Sequence, residues 1–186
     1  MKGMFEFLFL GNLMMEKGVL VLLDACAELR RREADFVCHF VGAASKDISM
    51  AQMEEYVVER QLQNVVRVHG PLYGEDKENM LQQVGALVFP TFYHNECFPF
   101  VILEAMKAGL PVISTEEGAI PDMVHEGKTG LLVERSNAGA LADAMQRFIS
   151  EPVLAAEMGA CGRALYAEKF TREIFVENVR TLLQRI

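Results

Sequence analysis

ALVFPTFYHNECFPFVILEAMKAGLPVIST, residues 86–115, reads as a strand, a long loop, a helix and a second strand. Residues 86–91 and 111–115 are short, almost wholly apolar runs, the pattern of strands buried on both faces. Between them Pro99 suits the first turn of a helix and Gly109 its C-terminal cap. Two buried strands joined through a helix are parallel neighbours, because a parallel pair needs a crossover of that length. The same alternation extends to both sides. Residues 5–11, 35–42, 65–70 and 130–134 are further strands, and residues 17–32, 50–60 and 80–84 have helical spacing. The fold is therefore α/β, a Rossmann-like doubly wound parallel sheet of about six strands with helices on both faces. Three helices close the chain, over residues 138–149, 152–168 and 172–185. Asn137 and Thr171 are their candidate N-caps, and Pro152 stands in a first turn. No repeat, low-complexity stretch or linker interrupts the 186 residues, so the expectation is one domain over residues 1–186.

Charge and composition narrow the partners. A formal net charge of −8 repels phosphate backbones, and nucleic acid is not expected as a partner. The one cationic run, Arg30, Arg31 and Arg32, falls at a helix C-terminus, where it complements the dipole. No apolar run reaches the roughly 20 residues that cross a bilayer. MKGMFEFLFLGN at the start reads as a core strand, not a leader. Cys26, Cys38, Cys97 and Cys161 are scattered without metal-type pairing, as expected of reduced thiols in a cytoplasmic protein.

In a doubly wound sheet ligands bind beyond the carboxyl ends of the strands, which makes the loop at residues 91–99 the first place to look. On the helix that follows, residues 100–108 are apolar except Glu104 and Lys107, and Glu96 precedes them in the loop. Two readings of these carboxylates stand. In one, Glu104 is matched by a buried partner and Glu96 complements the helix dipole. In the other, both accept hydrogen bonds from ligand hydroxyls, since two carboxylate oxygens suit a vicinal diol. The free amides of Phe100 and Val101 would face an anion between them. Diol, anion and diol together describe a nucleoside diphosphate sugar.

Glu96, seven residues, Glu104 and then AMKAGLPVIS resemble the E-x7-E signature of the GT-B retaining glycosyltransferases, chiefly family 4. EEGAIPDMVHEGKTGLLV, residues 116–133, is similar to the family's continuation, and FLGNLMMEKG, residues 9–18, resembles its first glycine loop. The resemblance implies the C-terminal, donor-binding domain of a two-domain enzyme that moves a hexose-type sugar from a nucleotide diphosphate sugar to an acceptor hydroxyl. Glu104 would then hold ribose, and Glu96 the hydroxyls of the transferred sugar. Lys17 would meet the diphosphate from the helix start it opens, with Gly11, Asn12, Phe98, Phe100 and Val101 around it. Gly118, Ala119 and Ile120 would wall the sugar or phosphate, and Val68, His69 and Gly70 would lie beside the nucleobase. Glu96 and Lys17 are the catalytic pair on this reading.

Two departures mark the chain. Asn12 stands where the family has arginine, removing a cation, and Pro99 stands where it has a flexible glycine, removing an amide. No Asp-x-Asp motif is present, and neither a metal nor a cofactor is expected. The acceptor, a glycan or lipid, would bind an N-terminal GT-B domain that this chain lacks. The chain alone is expected to bind nucleotide weakly and transfer nothing, while the full enzyme could meet a membrane peripherally. Phe175, Val179, Leu182 and Ile186 would face the other half. His94, Cys97, Met14 and Met15 have ordinary loop or packing readings. The alternatives are a non-catalytic nucleotide-binding module and a nucleotide-sugar epimerase domain. A nicotinamide dehydrogenase fits poorly, because Gly11-Asn12-Leu13-Met14-Met15 is not its glycine turn.

Overall fold

The computed structural model describes residues 3–184; the opening Met1 and Lys2, and the expected places of Arg185 and Ile186 on the last helix, lie outside them. Six strands, β1 (Phe5–Leu10), β2 (Phe36–Val41), β3 (Val66–Gly70), β4 (Ala86–Phe89), β5 (Val112–Ser114) and β6 (Gly130–Leu132), form one sheet. Their order is β3-β2-β1-β4-β5-β6, and all five pairings are parallel. The eight helices among the described residues are α1 (Val19–Arg31), α2 (Met50–Glu59), α3 (Gly74–Gln83), α4 (Phe100–Ala108), α5 (Ile120–Met123), α6 (Ala138–Ser150), α7 (Pro152–Lys169) and α8 (Arg172–Leu183).

Alternation along β1 explains how the core is filled. Phe5, Phe7 and Phe9 share one face, and this face meets Phe36 and Phe40 of β2, Phe89 of β4 and Phe148 of α6. Helices α1 and α6 pack together, while α4 packs on α3 and α7. Tilted aromatic pairs of this kind each add about 0.5–1.5 kcal/mol beyond their burial. The expected caps are in place: the Asn137 side chain accepts from the Ala140 amide, and Thr171 accepts from that of Ile174.

Three expectations need correction. Helix α3 begins at Gly74, not near residue 80, because GEDKEN has no apolar stripe to reveal it and only Leu81 is buried. Helix α1 begins at Val19; Met15–Lys17 form a separate 3-10 turn, and Gly18 between them is left-handed. A Cβ on Gly18 would collide with the Pro90 carbonyl, so a side chain there would push apart the loops that follow β1 and β4. Strand β4 ends at Phe89, where Pro90 supplies no amide to continue the ladder. The single-turn α5 was not foreseen. Among the described residues no helix is long and apolar enough to cross a membrane. All four cysteines are free; burial pushes the Cys38 thiol well up, as does Cys26 beside it, and leaves both as packing groups.

Candidate functional site

The strand order reverses at β1, whose neighbours β2 and β4 are reached by crossovers to opposite sides. The loops after β1 and β4 therefore diverge over a crevice at the carboxyl edge, where such sheets bind ligands. Hydrogen bonds brace this crevice. The Phe92 amide donates to the Glu16 carbonyl at 2.8 Å, and the Thr91 hydroxyl donates to the same oxygen at 3.3 Å. Thr115, the residue after β5, donates to the Thr91 carbonyl, and the Ala119 amide reaches the Cys97 carbonyl at 3.0 Å. Thr91, Ser114 and Thr115 are fully or almost fully buried, so their hydroxyls serve this bracing and not a ligand.

Glu96 and Lys17 meet across the crevice, with Nζ 3.6 Å from Oε2 and side chains 22% (Lys17) and 11% (Glu96) exposed. Lys17 also lies 5.4 Å from the centre of the Phe89 ring, which fixes its direction. Glu96 Oε2 is buried and has no hydrogen-bond partner. A buried acceptor left that way costs about 1–3 kcal/mol, more when charged, so this oxygen is a ready acceptor for a donor that enters the crevice. Beside this pair α4 starts at Phe100, with Pro99 as its cap residue. The Phe100 and Val101 amides have no acceptor within the helix and present the positive end of its dipole. A carboxylate lacking donors, an ammonium and a helix N-terminus thus share one opening.

Glu104 lies in the second turn of α4. Its Oε1 accepts from Lys77 Nζ of α3 at 2.6 Å, with side chains 28% (Lys77) and 35% (Glu104) exposed. The carboxylate does have a cationic partner, then, but the pair is not sealed in the core. Lys77 was not singled out from the sequence; the signal available was its place as the lone cation in the acidic run at residues 74–79.

The family model described as glycosyl transferases group 1 matches residues 2–165. The chain belongs to the group 1 glycosyl transferases. A D-inositol 3-phosphate glycosyltransferase of Arthrobacter sp. (strain FB24) is 31% identical over 172 residues, covering 90% of this chain and 39% of that protein. Sucrose-phosphate synthase of Thermosynechococcus elongatus superposes with a TM-score of 0.87 at 27% identity, over 98% of this chain and 45% of that one. The C-terminal domain of a glycosyl transferase group 1 family protein (LpcC) from Francisella tularensis superposes with a TM-score of 0.80 at 22% identity, over 91% and 88% of the two chains. The chain thus has the fold of the C-terminal half of a GT-B glycosyltransferase, and spans less than half the length of the curated relative it matches.

The structure places the expected residues one by one. Lys17 sits in the 3-10 turn ahead of α1 and not on the helix itself, which carries it toward Glu96. The Ala119 amide donates to the Cys97 carbonyl. Gly118 is left-handed and so close to the Glu96 carbonyl that a Cβ would collide with it; its role is to seat the Glu96 loop. Gly118→Ala should therefore lower stability by at least about 2 kcal/mol in urea unfolding, through both backbone strain and displacement of that loop. His69 lies with His39, ring nitrogens 2.9 Å apart, and His39 reaches Glu6 at 3.0 Å. Lost solvation lowers the His69 pKa, as do His39 and Arg67 beside it. The ring is engaged with its neighbour on β2. Asn12, Phe98 and Phe100 are exposed at the edge, and Gly11 stays at the end of β1.

Proposed function

We propose that this chain is the donor-binding half of a retaining glycosyltransferase, holding a nucleoside diphosphate sugar in the crevice between the loops after β1 and β4. The observation that carries the reading is Glu96 Oε2, a buried carboxylate oxygen without a donor, 3.6 Å from Lys17 and beside the start of α4. Sugar hydroxyls would supply the missing donors to Glu96. The diphosphate would lie between the Lys17 ammonium and the Phe100 and Val101 amides, with ribose at Glu104. Breaking the glycosidic bond to the leaving phosphate puts new negative charge on that oxygen, and the same ammonium and amides are poised to stabilise it. Retention of anomeric configuration follows the family: the acceptor hydroxyl attacks from the face the diphosphate leaves.

The acceptor glycan or lipid would bind an N-terminal half. Phe175, Val176, Val179, Leu182 and Leu183 of α8 are exposed, and an apolar surface of that kind would be covered by that half. On this reading the enzyme works in the cytoplasm without a bound metal. Calorimetric titration of this chain with UDP, GDP and ADP tests the proposal. One of the three should bind at one site per chain, unaffected by a chelator; binding of none would reject it.

A further inference from the structure

We propose that Lys77 belongs to the donor site as well, forming with Glu104 a two-residue reader of the ribose 2′,3′-diol; this rests on the donor-binding reading above. Each hydroxyl of a vicinal diol both donates and accepts hydrogen bonds. A carboxylate only accepts, so Glu104 alone satisfies half of what the diol presents. Lys77 supplies the other half. Its ammonium carries three donors, of which one is used on Glu104 Oε1 at 2.6 Å, and two remain for hydroxyl oxygens.

Placement favours this over a purely structural ion pair. Helices α3 and α4 follow β3 and β4, so both start at the carboxyl edge of the sheet. Lys77 and Glu104 each lie within the first two turns of their helices. The pair is partly exposed, so both side chains remain accessible. A pair that still meets solvent contributes modestly to stability. Its hydrogen-bonding capacity toward a ligand is the larger effect. The ammonium also holds the carboxylate in place before the ligand arrives, which reduces the ordering that binding requires.

The test compares the tightest binder among UDP, GDP and ADP with its 2′-deoxy counterpart, on the same chain. Wild type should prefer the ribonucleotide by about tenfold or more, the scale of one hydrogen bond to a charged group. Lys77→Met should weaken the ribonucleotide by about tenfold and bring the preference to within about threefold of unity. Lys77→Gln, which keeps the side chain's bulk and a neutral donor, should fall between them. The double variant with Glu104→Ala should lose less than the sum of the single losses, because the two groups act as a unit. If Lys77→Met lowers the melting temperature yet leaves the ribo-to-deoxy preference at its wild-type value, Lys77 is only a structural partner and the proposal is overturned. If wild type binds no nucleoside diphosphate, the donor reading itself falls, and the inference with it.

Discussion

Lys17→Ala, introduced into the enzyme that joins this half to its acceptor-binding half, should cut kcat by about a hundredfold to a thousandfold while raising the donor KM far less. The asymmetry comes from where the ammonium sits. In the ground state the diphosphate already carries its charge and shares it with the helix amides and solvent, so losing one cation costs modest affinity. On the donor-binding reading, a further charge appears on the leaving oxygen as the glycosidic bond breaks, and one preorganised donor beside it is worth about 3–4 kcal/mol. The 3-10 turn at Met15–Lys17 and the 5.4 Å approach to Phe89 hold the ammonium there before the reaction begins. Lys17→Arg should recover only part of the loss, since a planar fork of different length replaces a point charge. Steady-state kinetics with donor and acceptor varied separately measure the split. An equal rise in KM with kcat unchanged would make Lys17 a simple binding residue.

The second large effect is expected at Glu104. Glu104→Ala should weaken the nucleoside diphosphate by about thirtyfold to a hundredfold, from the loss of charge-assisted bonds to ribose. The chain itself should unfold at nearly the wild-type temperature, because the ion pair that disappears is partly solvent-exposed. Calorimetry and thermal unfolding on the same two proteins separate the effects. A variant that binds as tightly as wild type would leave Glu104 no part in the site.

What could be seen in the sequence, and what could not, follows from the range of the forces involved. The parallel sheet was legible because burial on both faces writes apolar runs such as FEFLFL and ALVF directly into the chain. Helix α4 was legible because proline and glycine punctuate its ends. Helix α3 was not: it is a polar surface helix, and nothing in GEDKEN repeats at 3.6 residues. Glu104 stood out as a charge on an apolar helix, and Glu96 and Lys17 through the family resemblance; Lys77 and the two ion pairs themselves did not. Lys17 and Lys77 lie 79 and 27 residues away from Glu96 and Glu104, and contacts of that separation depend on sheet order and helix placement. The Glu6–His39–His69 chain, likewise, exists only through the register that sets three strands side by side. Gly118 read as part of a wall for the sugar or phosphate, whereas its seat against the Glu96 carbonyl is a tertiary fact.

The measurement that bears most directly on the donor crevice is amide chemical-shift mapping of this chain during titration with the nucleoside diphosphate that binds. The largest changes should fall at Gly11–Gly18, at Glu96, Phe98, Phe100 and Val101, and around Lys77 and Glu104, all at the carboxyl edge where β1 and β4 part. Changes confined to the opposite edge of the sheet, or to the exposed surface of α8, would contradict the account.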